Sequence, residues 1–555
     1  MKIRSIYILF FGLLTFGIEA QPYPLPAVDS LTINNLSVHF NAGGALFWDF
    51  TEGQFNPNDD PSLIRASGLW FGGISQNEYP RVSAQMFNHQ YQTDFKAGLI
   101  DPLTNEICEE DFNRIWKVNR QQVLDHMADF QDDGDIDFKI PAIYAWPGIG
   151  NPFFAEYNDG INIPDGLFGL ADFYDFDGNN IYDPDMGDFP VVRVNGCSES
   201  IIPSQFAWFA FNDDVVHYQT MSDGLKWQVY ATIFAFNCTD NQALNNAVFA
   251  KFKTINYNEV AYDSTFIGAF FAPSIGCPED DYYGSSPDRA LTFAYNSDNE
   301  DAPCAPYEGY ESAPPAVGMD ILRGPIKTIF DQNGNPIDFV EVGVSSSGHF
   351  NPVSDVYLPI SYYNLLSGSL PDGSPIPNNG FPFPDFPTDI VGISELSLGT
   401  PAGERNILTA SGPFQMVPGA INEYLIAYSF FDGGADYLDN VSGFVNQSDE
   451  IQAAFDNCFD LSTECTPALS KIARLDISNQ IQLFPNPASK IVNLESGDIQ
   501  IERVLLYDIS GHLIQEWQIS QNQPLSLELN DLPGGLYILH VSTEKGVANK
   551  KLIIE

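Results

Sequence analysis

Trp227-Gln228-Val229-Tyr230-Ala231-Thr232-Ile233 and Ala247-Val248-Phe249-Ala250-Lys251-Phe252-Lys253-Thr254-Ile255 are the two runs that decide the fold class. In both, apolar residues alternate with polar or small ones, the two-residue period of a strand and not the 3.6-residue period of a helix. The alternation predicts sheets buried on one face and stacked as a sandwich. Similar strand-like runs fill residues 200–460. Within that region Gly412-Pro413-Phe414-Gln415-Met416-Val417-Pro418-Gly419, followed by Tyr424-Leu425-Ile426-Ala427-Tyr428, reads as a late hairpin. Residues 368–388 are too rich in Pro for a central strand and read as a loop. A short helix near 449–457 is expected to close the region.

Toward the N-terminus, residues 21–199 form a second β-rich region. Gly43-Gly44-Ala45-Leu46-Phe47-Trp48 and Gly68-Leu69-Trp70-Phe71-Gly72-Gly73 alternate there with Asn, Asp and Pro turns. One helix stands out at about 119–130, where Val123, Leu124, Met127 and Phe130 share a face. The whole is expected to be mainly β: a multi-domain β-sandwich body with a few short helices. The length of 555 residues exceeds what one core normally holds.

The two ends differ from the body. Lys2 and Arg4 precede an apolar run from Ile6 to Phe16 and a small residue, Ala20, which reads as a signal peptide over 1–20 with Gln21 as the mature N-terminus. No later stretch approaches the roughly 20 apolar residues of a membrane helix, so no transmembrane segment is expected in the mature chain. After a linker at 461–478, residues 479–555 turn to compact alternating strands. Leu483-Phe484-Pro485-Asn486-Pro487 opens this module; Val504-Leu505-Leu506-Tyr507-Asp508-Ile509-Ser510-Gly511 and Leu532-Pro533-Gly534-Gly535-Leu536-Tyr537-Ile538-Leu539-His540-Val541 follow; Lys550-Lys551-Leu552-Ile553-Ile554-Glu555 ends it. Pro485 and Pro487 withhold two backbone donors, so the entry segment must be an edge.

These elements, in this order, resemble the type A sorting domain carried by cargo of the type IX secretion system, with Phe484 where that family often has Tyr. The resemblance implies an Ig-like β-sandwich module read by the outer-membrane secretion machinery. It also implies periplasmic transit to a secreted or surface location, removal of the module, and release or attachment to lipopolysaccharide. Gly68–Gly73, Arg114-Ile115-Trp116-Lys117, Gly187-Asp188-Phe189-Pro190 and Ser411-Gly412-Pro413-Phe414 resemble large uncharacterised surface proteins exported by the same route. That second resemblance implies no activity.

The formal charge of −49, from 73 acidic and 24 basic residues, argues against nucleic acid as a partner, because phosphate neutralisation needs clustered Lys and Arg. Such acidity also destabilises a compact state unless cations collect on it. Cysteines stand at 108, 197, 238, 277, 304, 458 and 465, an odd number that leaves a thiol over. Cys458 with Cys465 would close a small loop and Cys277 with Cys304 would staple an acidic excursion, but spacing does not fix connectivity.

The most specific chemistry lies in Asp175-Phe176-Asp177-Gly178-Asn179-Asn180-Ile181-Tyr182-Asp183-Pro184-Asp185-Met186-Gly187-Asp188. Oxygen-bearing side chains at relative positions 1, 3, 5 and 9, with a backbone carbonyl at 7, match the spacing by which an EF-hand-type loop wraps Ca²⁺. Asp175, Asp177, Asn179, Ile181 through its carbonyl, and Asp183 are the candidate ligands of a structural calcium ion. Met186 occupies position 12, so Asp188 or Asp185 must replace the usual bidentate Glu. A second acidic stretch, Glu279-Asp280-Asp281 with Asp288, is a weaker candidate for another ion and is read first as ordinary surface charge.

No HExxH, GxSxG, GxxxxGK[ST] or GxGxxG motif is present, and Ser345-Ser346-Ser347-Gly348-His349 reads as a Ser-rich turn beside a histidine. Trp48, Trp70, Trp146 and Trp208 are better explained as core than as sugar platforms. These readings favour a non-enzymatic, calcium-stabilised adhesion or envelope protein with no catalytic residues. A polysaccharide-acting hydrolase with a carboxylate pair, or a carbohydrate-binding protein without turnover, is the alternative.

Overall fold

The computed structural model describes residues 25–459 apart from 49–54, 58–60, 76–78, 88–92, 198–199, 239, 331–335 and 390. It also describes residues 481–554 apart from 497–500, 509–512, 519–524, 530–531 and 544–545. The expected signal peptide at 1–20 and linker at 461–478 lie outside the described residues.

The protein is mainly β, as the alternation predicts. Two nine-stranded antiparallel sheets carry the body. The first runs in the order Val28–Leu31, Leu36–Asn41, Ala45–Leu46, Ile64–Ile74, Tyr262–Pro273, Ile407–Met416, Val344–His349. The second runs Trp116–Asn119, Gln205–Asn212, Trp227–Ala235, Ala247–Asn256, Ile421–Phe431, Ala316–Arg323, Leu291–Asn296, Asp281–Ser286. Both sheets cross the composition change near residue 200, since Ile64–Ile74 pairs with Tyr262–Pro273. Their inner faces interdigitate in one core, where Phe71 stacks on Trp227 at 4.5 Å and Phe40 on Phe209 at 5.8 Å. Ser67 Oγ and the Tyr428 hydroxyl, 2.7 Å apart, bridge the two sheets.

The second sheet departs from the one-face expectation. Trp227–Ala235 is buried along its whole length. An excursion over residues 99–201 and the helix Tyr437–Asp456 cover its outer face, forming a second core around Trp146, Tyr182, Trp208, Tyr230 and Phe234. The polar positions that look solvent-facing in the sequence are therefore internal. Lys251, at 2% side-chain exposure, is held by an ion pair with Asp172. On the outer face of the first sheet, the helix Pro359–Leu366 packs Tyr362, Leu365 and Leu366 against a cluster that contains Trp70.

The late hairpin is not one. Ile407–Met416 belongs to the first sheet and Ile421–Phe431 to the second, so the short turn between them is a corner that carries the chain across the sandwich. Each strand already has two partners from distant sequence, which leaves no edge free for the other. The helix expected near 449–457 spans Tyr437–Asp456, 20 residues, opening on Asp436, whose carboxylate accepts the Leu438 and Asp439 N–H groups. The other expected helix is present as Arg120–Asp133, with Val123 and His126 buried.

Cys277 and Cys304 are bonded, as their spacing allowed. Cys458 pairs with Cys197 instead of closing a small loop with Cys465, tying the end of the helix Tyr437–Asp456 to the excursion. Cys238 is also disulfide-bonded, and Cys108 is a free thiol.

The C-terminal module is a separate small sandwich. Gln482–Phe484, Ile491–Glu495 and Leu525–Glu528 form one sheet; Leu513–Gln518, Ile501–Asp508, Gly535–Thr543 and Gly546–Ile554 form the other. Val492, Leu494, Val504, Leu506, Leu539, Val541 and Leu552 fill the space between them. Gln482–Phe484 sits at a sheet edge, where the prolines that follow it cost no ladder bond. Among the described residues, no helix is long and apolar enough to cross a membrane.

Candidate metal centre

The acidic loop is pinched at its base. Phe173 and Tyr174 pair antiparallel with Pro190 and Phe189, so the next residue on each side, Asp175 and Asp188, enters the loop side by side. The far side is pinned by Tyr182, fully buried, whose hydroxyl donates to the Ile143 carbonyl at 2.7 Å. Gly187 has φ +89°, and a Cβ there would come within 2.6 Å of the Phe130 ring, so only glycine lets the chain turn back against the helix Arg120–Asp133. His126 of that helix meets the Asp188 carbonyl at 3.0 Å.

Three carboxylates converge: oxygens of Asp175, Asp177 and Asp188 all lie within 4.8 Å of one another. Asp188 is fully buried, Asp175 half-buried and Asp177 exposed. The backbone orients them. Asp188 accepts the Phe176 N–H at 2.7 Å and the Asp183 N–H at 2.8 Å, one on each oxygen. Asp175 accepts the N–H groups of Gly178 (2.8 Å), Asn179 (3.1 Å) and Asn180 (2.8 Å). Asn180, at the position usually taken by Gly, has φ +60°.

The remaining predicted positions are in the loop but turned to other tasks. Asn179 donates from Nδ2 to Asp177 at 2.8 Å and accepts the Ile181 N–H on Oδ1 at 2.6 Å. Asp183 caps the short turn Pro184–Met186 by accepting the Asp185 N–H at 3.0 Å. The Ile181 side chain is exposed. Between the two candidates for the closing ligand, geometry separates Asp188 from Asp185. Asp185 is held by Lys139 at 2.9 Å and by the Tyr144 hydroxyl, away from the cluster.

Electrostatics match the crowding. Burial pushes Asp188 up to about 7, with Asp175 and Asp177 adding repulsion against the two backbone donors that oppose it. Burial also raises Asp175 and Asp183 above the ordinary carboxylate range. A divalent cation at such a point would replace mutual repulsion with attraction. From the sorting domain, Tyr507 accepts from the Asn180 side chain at 2.8 Å and Arg503 donates to the Gly178 carbonyl at 3.0 Å.

Elsewhere, Cys277, Glu279 and Cys304 cluster, but the disulfide leaves no thiolate to bind metal. A cavity of about 350 Å³ is lined by Tyr283, His349, Phe383, Glu395 and Arg405 among others. Its carboxylate, Glu395, is engaged by both Nε and Nη2 of Arg405, at 3.1 and 2.9 Å. Ser345, Ser346, Ser347 and His349 belong to the strand Val344–His349 rather than to a turn. Trp70, Trp146 and Trp208 are buried and Trp48 is half-buried against Phe87, as the core reading expects.

Residues 482–555 match the secretion system C-terminal sorting domain family. The chain is thus a cargo of the type IX secretion system, exported to the cell surface or beyond it, and its tail interacts with that machinery. No curated protein matches the chain. Solved structures with partial likeness include a polysaccharide lyase, 7% identical over 59% of this chain and 34% of that one, at a TM-score of 0.18. Another is a Faecalibacterium prausnitzii β-glucuronidase, 11% identical over 58% of this chain and 41% of that one, at 0.11. The chain therefore spans well under half the length of either.

Proposed function

We propose that this exported protein is a non-enzymatic, calcium-stabilised component of the cell surface or envelope, serving adhesion or envelope assembly. Asp175, Asp177 and Asp188 would bind the ion, with the Ile181 carbonyl and water completing its oxygen shell. One observation carries this reading: three carboxylates converge where the backbone has aimed them, at the neck of a loop whose other contacts are packed. Calcium is the fitting ion because all donors are hard oxygens and the loop is irregular enough for a coordination number of six or more. The paired Glu395 and the buried tryptophans support a binding or structural role over hydrolysis. After sorting, the body would remain on lipopolysaccharide or be released.

The test is thermal unfolding of the exported protein in millimolar Ca²⁺ and in chelator. Calcium at about 100 times its Kd would add about 2.7 kcal/mol, several degrees of melting temperature. An unchanged transition removes the calcium reading. Turnover in a screen of glycans and peptides removes the non-enzymatic one.

A further inference from the structure

We infer that a second divalent-cation site of calcium type lies at the edge of the second sheet, built on Asp281 and Asp301 with Asn296 opposite Asp281 in the ladder. Asp281 opens the strand Asp281–Ser286 and stands opposite Asn296 in the ladder, which places both side chains on one face of the sheet. Both residues are fully buried. Asp281 Oδ2 accepts the Ile275 N–H at 3.1 Å, but Oδ1 meets no donor. Neither side-chain atom of Asn296 has a partner, and Asp280 Oδ1 has none either.

Asp301 is also fully buried, accepting the Cys277 N–H at 3.2 Å on Oδ1 and the Tyr310 N–H at 2.7 Å on Oδ2. Asp280 and Asp301 both act on Asp281 as like charges. The cation nearest in effect is Arg405, whose Nε and Nη2 are already given to Glu395. Buried charges and orphaned acceptors of this kind each cost several kcal/mol unless something compensates them.

The backbone is cut to hold these groups. A Cβ on Gly276, whose φ is +55°, would lie 1.9 Å from Asp301 Oδ2, and one on Gly309 would lie 2.1 Å from the Asp301 carbonyl oxygen. The Cys277–Cys304 disulfide ties together the two segments that supply the carboxylates. A water molecule would satisfy the orphaned atoms but leave the carboxylates' mutual repulsion; a hard dication would take Asp281 Oδ1 and Asn296 Oδ1 as oxygen ligands and offset that repulsion, with a metal-bound water accepting from Asn296 Nδ2. Asp288, grouped with this stretch from sequence, sits at the opposite end of the strand in the turn Pro287–Arg289 and takes no part, and Glu279 is exposed.

The test is metal stoichiometry on the full-length chain, by equilibrium dialysis against Ca²⁺ and elemental analysis. Two ions are expected per wild-type chain, one for Asp281→Asn and one for Asp188→Asn. An Asp281→Asn chain that binds as many ions as wild type overturns the site. Should that variant not fold, crystals of the wild-type chain soaked in Tb³⁺ decide: an anomalous peak at Asp281 Oδ1 upholds the site, and its absence overturns it. If the loop at 175–188 binds nothing, wild type holds one ion and Asp281→Asn none, so the two sites fail independently.

Discussion

Tyr174 and Phe189 stack face to face, 4.8 Å between ring centroids and 7° between planes, at the base of the loop that gathers Asp175, Asp177 and Asp188. The stack and the two-residue ladder beneath it hold the loop's ends in register. Tyr174→Ala leaves every carboxylate in place while removing the aromatic contact, worth about 1 kcal/mol. Calcium affinity should fall about fivefold with stoichiometry unchanged, as read by calorimetric titration. Equal affinity would show that the pinch does not organise the ligands.

Asp320 gives the body a pH dependence that is separate from metal binding. It is buried, accepts from Ser448 Oγ at 2.6 Å, and leaves Oδ1 without a donor. Burial pushes it up to about 7, with Asp449 adding to the rise while Ser448 and Arg289 oppose it. Since the folded value exceeds the unfolded one of about 3.9, ionisation costs folding free energy. The cost is absent below pH 4, grows through to pH 7 and is constant above. Asp320→Asn should therefore melt higher than wild type at pH 8, by about 1–3 kcal/mol of added stability, with the gain fading toward pH 4. A gain of the same size at both pH values would contradict the assignment.

The Cys197–Cys458 disulfide closes a sequence separation of 261 residues and anchors the helix Tyr437–Asp456 over the second sheet. A Cys197→Ser, Cys458→Ser double variant should lose about 3–5 kcal/mol. Urea denaturation of oxidised protein against the double variant measures this, and coincident curves would show that the clamp contributes nothing.

Local pattern was enough to see strands in Trp227–Ala235 and Ala247–Asn256 and a helix at Arg120–Asp133, because each carries its own period. It was not enough for the corner at 417–420, because the partners of Ile407–Met416 and Ile421–Phe431 lie up to about 180 residues away, and local sequence says nothing of sheet membership. The full helix Tyr437–Asp456 was missed because Asn440, Gln447 and Ser448 are buried polar residues that blur its apolar stripe. Spacing of Val441, Phe444, Ile451 and Phe455 was the available signal. The loop around Asp175 was legible because its donors are close in sequence, whereas Asp281 and Asn296 come face to face only through strand pairing, and the Cys277–Cys304 disulfide ties the segment of Asp281 to that of Asp301. Nothing local distinguishes the buried Asp281 from its exposed neighbour Glu279.

Asp172 is the counter-charge for Lys251 and Lys253 beneath the excursion. Burial alone would push it up, yet the two ammonium groups hold it well below the ordinary carboxylate range. Its contribution is therefore present above about pH 4 and is lost as the pH falls further. Asp172→Asn strands two lysines and should cost about 3–5 kcal/mol. Lys251→Met should cost less, because Lys253 still neutralises Asp172. Chemical denaturation at pH 7 orders the two variants, and the reverse order would mean that Lys251 and not Asp172 is the keystone.

The sorting domain has its own two-sheet core, with Val492, Leu494, Val504, Leu506 and Leu539 all fully buried inside it. A module that buries its own apolar faces can be removed without opening the body's sandwich, whose cores contain, among the described residues, none beyond 459. Truncation before residue 482 should leave a folded body that enters the periplasm and stays there. Cell fractionation with a limited-proteolysis check of folding measures both halves of this expectation. A folded, truncated body found in the medium at the wild-type level would show that the address lies elsewhere in the chain. Replacing buried Leu539 with Asp in the full chain should give the same periplasmic retention, because the machinery would then meet an unfolded tail whose strands are present but unpaired.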